Sequence, residues 1–183
     1  DFVGPATGAN RTNSDSLTYD PQYSYHLGYE RSLEDYGNIF ARLGRSFTYP
    51  NVDQRVGQSA WNVSHDFKLR TQTSNDFEIG HKFQNNDLNI IHSFYYMMLR
   101  GEIYYDEVDF LNKNLEPSKR YGFESSVNYT LNNYVNFNNS FAFTKAKMRS
   151  GNYRGNEIPG VPSLTNTVEL NLNLIDNFTL STE

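Results

Sequence analysis

The stretch "RYGFESSVNYTLNNYVNFNNSFAFTKA", residues 120–146, decides the fold. Tyr121, Phe123, Val127, Tyr129 and Leu131 are separated by Gly122, Glu124, Ser126, Asn128 and Thr130. After Asn132-Asn133-Tyr134 the alternation resumes, with Val135, Phe137, Phe141 and Phe143 against Asn136, Asn138, Ser140 and Thr144. Successive side chains of a strand point to opposite faces, so a period of two predicts two strands joined by a tight turn. Each strand then has one dry face and one wet face, and the dry face meets either a protein core or lipid.

The same reading extends along the chain. Strands are predicted at 16–30, 38–47, 76–84, 88–107, 120–131, 135–147, 162–175 and 178–183, and helical periodicity is nearly absent. Connections 31–37, 85–87, 132–134 and 176–177 are short, whereas 48–75, 109–119 and 148–161 are long. In an up-and-down sheet, alternate connections emerge at opposite ends. Every tight turn therefore falls at one end and every long loop at the other, as in a transmembrane β-barrel. Residues 88–107 read as one extended segment of roughly 65 Å. A soluble domain of this length has a radius of gyration of about 16 Å. Gly101 is the one place where that segment can bend or break.

These patterns predict an all-β fold of antiparallel up-and-down strands that form a transmembrane β-barrel. Lipid would meet the Phe/Tyr/Leu rows, and the Asn/Ser/Thr/Glu rows would line a polar lumen. Tyr121 and Phe123 near the long-loop end, and Tyr129 and Tyr134 near the turn end, suit the aromatic girdles of such a wall. A soluble β-sandwich, with the dry faces as its core, is the alternative.

Composition narrows the function. Aromatic residues reach 15%, which separates the chain from disordered sequences. A net charge of −5 argues against a general nucleic-acid binder. There is no cysteine, which excludes disulfides, thiolate metal sites and thiol catalysis. No apolar run is long enough for a membrane-spanning helix, and no signal peptide opens the chain.

Few residues suggest chemistry. His26, His65, His81 and His92 are scattered without metal-ligand spacing, and nothing resembles a nucleophile elbow, so no metal, no cofactor and no enzymatic activity are expected. Asp106, Glu107 and Asp109 open a long loop and would either bind Ca²⁺ or be solvated. Lys145, Lys147, Arg149 and Arg154 lie at the long-loop end, where lipopolysaccharide phosphates, an anionic chelate or water would face them. Trp61 sits in the longest loop with Tyr49, Asn51 and Arg55. Its ring would either stack on a flat ligand or pack within the loop. The candidate ligand-binding residues are Tyr49, Arg55, Trp61, Arg149, Tyr153 and Arg154.

Four stretches resemble the β-barrel of TonB-dependent outer-membrane receptors. They are "NIFARLGRSFTYPNVDQ" (38–54), "LRTQTSNDFEIGHKFQ" (69–84), "RGEIYYDEVDFLNKNLEPSKRYGFE" (100–124) and "GNYRGNEIPGVPSLTNTVELNL" (151–172). Arg70-Thr71 departs from the family's Lys/Arg-Pro, and the lack of a His pair in 45–90 speaks against a haem receptor. The resemblance implies that residues 1–183 are part of a 22-stranded wall, about eight strands, with no plug domain and the last strands missing. It further implies energised uptake of a metal chelate such as a ferric siderophore, in a bacterial outer membrane. The implied partners are the chelate at external loops, the TonB complex through the plug, and outer-membrane lipid and lipopolysaccharide. A passive porin is the remaining alternative.

Overall fold

The computed structural model describes residues 20–58, 63–65, 69–175 and 178–182. In chain order its strands are β1 (Tyr25–Ser32), β2 (Asn38–Thr48), β3 (Val56–Gln58), β4 (Val63–His65), β5 (Gln72–Gln84), β6 (Leu88–Arg100), β7 (Ile103–Asp106), β8 (Leu111–Asn114), β9 (Ser118–Asn132), β10 (Val135–Met148), β11 (Leu164–Ile175) and β12 (Phe178–Thr182). Eight of them form one antiparallel sheet in the order β1-β2-β5-β6-β9-β10-β11-β12. The pairs β3–β4 and β7–β8 are small hairpins set into two of the long connections. Only two short 3₁₀ turns, Glu34–Tyr36 and Asp53–Arg55, interrupt the β-structure among the described residues. No sheet covers the apolar rows there, which removes the sandwich alternative.

The described connections split by length as expected. Turns after β1, β5 and β9 are tight and lie at one end. Those after β2, β6 and β10 are long and lie at the other. Asparagine side chains close two of the turns. Asn85 Oδ1 accepts from the N–H groups of Asp87 and Leu88 at 3.0 and 2.8 Å, and Asn132 Oδ1 accepts from Tyr134 N–H at 2.8 Å. Such local bonds satisfy turn amides that the ladder cannot reach.

Three boundaries differ from the sequence reading. The segment 88–107 is two elements, because Gly101 adopts φ +64° and turns the chain out of the sheet after Arg100. β5 starts at Gln72 rather than 76, because Gln72–Asn75 pair with Arg45–Thr48. The first strand runs over 25–32, and the predicted portion 16–19 lies outside the described residues, as does the turn 176–177.

Register lines side chains into rows across the sheet. One row is Leu27, Leu43, Phe77, Tyr96 and Tyr121. The next is Tyr29, Ala41, Ile79, Phe94, Phe123, Phe143 and Leu164. Phe94 is 61% exposed and Ile79 49%, so these rows are bare. Their rings touch laterally: Phe94 and Phe123 centroids are 4.8 Å apart, Tyr96 and Tyr121 6.3 Å. The face is not wholly apolar, since His81, His92 and Ser125 share a row on it. His92 Nδ1 is 2.9 Å from Ser125 Oγ, and His81 Nε2 is 2.6 Å from the Tyr36 carbonyl at the turn end.

The opposite face carries Glu30, Phe40, Gly80, Ser93, Glu124, Ala142 and Thr165 in one row. It is the concave side: a hollow of about 370 Å³ lies over its middle and another of about 290 Å³ at its long-loop end. Phe40, Leu99, Ala146, Met148, Ser93 and Ser118 are buried on this side. Two inner aromatics lie over glycines of the neighbouring strand. Phe40 covers Gly80, where a Cβ would collide with its ring, and Tyr95 covers Gly122. Covering a glycine with a ring shields backbone that has no side chain of its own. β1, at one edge of the sheet, is exposed along its whole length.

Candidate functional site

The long connections hold the candidate ligand-binding residues, and β7–β8 stands in their centre. Gly101 starts the connection after β6, and Asn114 fixes its base. Asn114 Nδ2 donates to the carbonyls of Gly101 and Arg70 at 2.7 and 3.0 Å, and its Oδ1 accepts from Arg70 N–H at 2.7 Å. Ile103 N–H donates to Gln72 Oε1 at 3.2 Å. The loop after β2 is tied to the same hairpin. Asn51 and Gln54 bond each other's backbone amides through their side chains, at 3.0 and 2.8 Å. The Gln54 carbonyl then accepts from Asn112 Nδ2 at 2.9 Å.

On the other flank, Arg149 N–H donates to the Pro117 carbonyl at 2.6 Å. A Cβ on Gly151 would meet the Glu116 side chain at 2.8 Å, so this loop lies closely against the 115–117 segment. Salt-bridged Glu102 and Arg120 lie beneath the hairpin, with Ser118 Oγ 3.4 Å from Glu102 Oε2.

At the hairpin tip, Lys113 Nζ lies 2.7 Å from Asp106 Oδ2 and also pairs with Asp109. The Lys113 hydrogen bond, followed by N–H donation from Val108 and Asp109, holds the Asp106 carboxyl below the usual carboxylate range. Bonding to Asp106 and Asp109 raises the Lys113 ammonium above its usual value. This arrangement decides the reading of the acidic group. Two of its three carboxylates already hold an ammonium, and no metal-binding cluster of three exists among the described residues. Next to this ion pair, Tyr105, Val108 and Phe110 are exposed, and Phe110 has a φ of +57°. Bulky residues rarely adopt a positive φ, which marks the tip as a held conformation.

The structure places the predicted site residues in two groups. Tyr49 stands edge-on to Phe47, with centroids 5.1 Å apart, and its hydroxyl donates to the Asp20 carbonyl at 3.2 Å. Arg55 ends the adjacent 3₁₀ turn. Trp61 lies outside the described residues. Tyr153 and Arg154 are exposed in the loop after β10, on the far side of β7–β8 from Tyr49 and Arg55. Arg149 turns outward, with Nη1 2.9 Å from Met98 Sδ. Of the basic group, Lys145 is occupied by Glu157 at 3.2 Å. Sequence reading missed Asn112 and Asn114, whose side-chain bonds to backbone fasten the loops. It also missed Lys113, whose signal was its spacing of four and seven residues from Asp109 and Asp106.

Comparison with known proteins gives three findings. The family described as "TonB dependent receptor-like, beta-barrel" matches residues 3–181. Comparison with curated protein sequences finds no match. Solved structures share the fold. The siderophore receptor PirA from Acinetobacter baumannii has TM-score 0.66 and 16% identity, over 87% of this chain and 28% of its own. The ferric yersiniabactin uptake receptor FyuA from Yersinia pestis has TM-score 0.64 and 14% identity, over 80% and 22%. The copper transporter OprC has TM-score 0.63 and 19% identity, over 80% and 23%. The chain thus spans about a quarter of the length of these three structures.

Proposed function

The chain belongs to the TonB-dependent receptor β-barrel family, which matches residues 3–181, and from that premise we propose that it forms part of the wall of an outer-membrane receptor for a metal chelate such as a ferric siderophore. The activity is transport rather than catalysis. Further strands would add at β1 and β12, closing the wall. The lumen would hold a plug domain through which the TonB complex, driven by the inner-membrane proton gradient, opens a path.

One observation carries this reading: the three long connections emerge together at one end of a sheet whose apolar rows face outward and whose polar face is concave. That division of faces suits a barrel wall between lipid and an aqueous interior. The inner hollow is acidic, lined by Glu78 and Glu124 among Ser93, Ser126, Ser140 and Thr165. Arg42 lies 3.4 Å from Glu78, whereas Glu124 is exposed with no ion-pair partner among the described residues. A basic side chain of the plug would complete it.

Capture falls to the external loops. Tyr49 and Arg55 flank the central hairpin on one side, and Tyr153 and Arg154 on the other. Aromatic rings and guanidinium groups suit a flat, anionic chelate. Siderophore-receptor and copper-transporter folds among the similar structures support a metal-containing cargo.

Uptake of radioactive iron as catecholate, hydroxamate and carboxylate complexes tests the proposal, in cells expressing the full-length protein. One class of complex should enter, and entry should stop when TonB is deleted or the proton gradient collapsed. Entry that persists without TonB would make the protein a passive channel.

A further inference from the structure

Cations on the concave face are paired in two different ways. Arg42 of β2 pairs with Glu78, its register partner on β5, and Lys82 of β5 pairs with Glu30 of β1. In both cases the carboxylate comes from a strand of the sheet. Arg120 of β9 differs. Its partner Glu102 belongs to the connection that leaves the sheet after β6, one residue beyond the turn at Gly101. The Glu102 carboxylate reaches back beneath the hairpin, with one oxygen on Arg120 Nη2 and the other 3.4 Å from Ser118 Oγ.

This pairing is incomplete. Glu102 takes one guanidinium nitrogen, while Arg120 Nε is buried without a hydrogen-bond partner among the described residues. A buried donor left unbonded carries its full desolvation penalty. A carboxylate meeting the guanidinium edge-on would bond Nε and Nη2 together, the bidentate fork that arginine favours. Space for one adjoins. Arg120 and Glu102 both line the hollow of about 290 Å³ at the long-loop end, beside the hydroxyls of Ser46 and Ser74 and the Gln72 amide. Glu102 therefore stands where an anionic ligand would stand, with poorer geometry than a free carboxylate could reach.

We propose that Arg120 binds a free carboxylate of the cargo inside the mouth of the wall, and that Glu102 is an internal carboxylate holding that place until cargo arrives. This rests on the receptor reading above, in which cargo taken up by the external loops passes this hollow on its way inward. Cargo and Glu102 compete for one guanidinium. Binding therefore unfastens the connection at the β6 end of the hairpin, while Asn114 still holds the base. Two amides report the change: Leu115 N–H donates to the Glu102 carbonyl at 2.7 Å, and Ile103 N–H to Gln72 Oε1 at 3.2 Å. The site selects chelates that carry a free carboxylate, because an uncharged complex has nothing to set against Arg120.

The test uses the full-length protein in detergent and two probes, ferric citrate and an uncharged ferric trihydroxamate. Calorimetry reads affinity, and deuterium exchange at the Ile103 and Leu115 amides reads the opening of the connection. Ferric citrate should bind about tenfold more tightly than the trihydroxamate and speed exchange at both amides about tenfold. Arg120→Gln should weaken ferric citrate about tenfold, and Arg120→Lys nearly as much, because an ammonium cannot form the fork. Glu102→Gln removes the competitor and should tighten ferric citrate, which loss of a merely structural contact would not do. Glu102 lies outside the ladder, so this variant keeps the test open should Arg120→Gln fail to fold. Equal binding by wild type and Arg120→Gln, weaker binding by Glu102→Gln, or no binding of ferric citrate would overturn the site. Exchange that ferric citrate leaves unchanged would give the fork to a carboxylate of the protein's own plug, and would overturn it as well. TonB-dependent uptake of a catecholate or hydroxamate complex in any of these cases would leave the receptor reading standing, whereas failure of every chelate to enter would sink that reading itself.

Discussion

Tyr95 of β6 and Thr144 of β10 share a hydrogen bond of 2.8 Å although β9 runs between them. The tyrosine crosses β9 at Gly122, the one position in that strand's inner row where no side chain blocks it. A Cβ there would meet the Tyr95 ring at 2.9 Å and the Phe143 carbonyl more closely still. Gly122→Ala should therefore destabilise the wall by about 1–3 kcal/mol, the usual cost of overpacking. Tyr95→Phe, which loses only the bond to Thr144, should cost about 1 kcal/mol. Urea titration of the full-length protein in lipid vesicles checks both, and equal losses would show that the crossing contributes only its hydroxyl bond.

The base of the central hairpin rests on Asn114, which makes three hydrogen bonds to backbone groups of Gly101 and Arg70. Asn114→Ala removes all three at once. At about 1 kcal/mol each, the hairpin loses about 3 kcal/mol of local stability. The Arg70 amide, which donates to Asn114, should then exchange with deuterium about a hundredfold faster or more. The β9–β10 ladder should keep its protection, because it does not depend on the hairpin. Unchanged exchange at Arg70 would mean that other contacts hold the loop.

What could be read from the sequence follows from which interactions leave a period. β9 and β10 were legible to within two residues, because Phe, Tyr and Val alternate with Asn, Ser and Thr along both. The start of β5 was silent: Gln72, Thr73, Ser74 and Asn75 are polar on both faces, so pairing with β2 leaves no hydrophobic trace. Phe40 points to the concave face against the pattern, because Gly80 opposite leaves a space that its ring fills. In the loops, Asn112 and Asn114 act through side-chain bonds to backbone groups that no spacing rule encodes.

The ion pair at the hairpin tip predicts a pH window. The Asp106 carboxyl is lowered from 3.8, first by the Lys113 hydrogen bond, so its folded value lies below its unfolded one. Its contribution is present above the unfolded value and is lost as pH falls through the lower folded value. Lys113 is raised from 10.5, so its share is full below that value and disappears as pH rises through the higher folded one. The tip should stay ordered from about pH 4 to about pH 10 and loosen in stronger acid. Amide signals of Val108 and Asp109, which both donate to Asp106, report this directly. In Asp106→Asn the acid transition should vanish, and a transition near neutrality instead would contradict this assignment.

The two faces of β6 and β9 make opposite predictions about charge. Phe94 belongs to the bare outer rows, and Ser126 to the inner row that lines the larger hollow. If the outer rows lie in hydrocarbon, Phe94→Arg must place a guanidinium in lipid. That should cost about 2–4 kcal/mol in folding free energy where the residue lies near the bilayer midplane. Ser126→Arg points into an aqueous, acidic space beside Glu78 and Glu124, and should change stability by no more than about 0.5 kcal/mol. The comparison is internal, because both substitutions introduce the same group on adjacent, paired strands. Folding into lipid vesicles, followed by the shift between heated and unheated gel mobility, measures the difference. A larger loss for Ser126→Arg than for Phe94→Arg would reverse the assignment of the faces, the more so because Phe94→Arg also gives up the ring contact with Phe123.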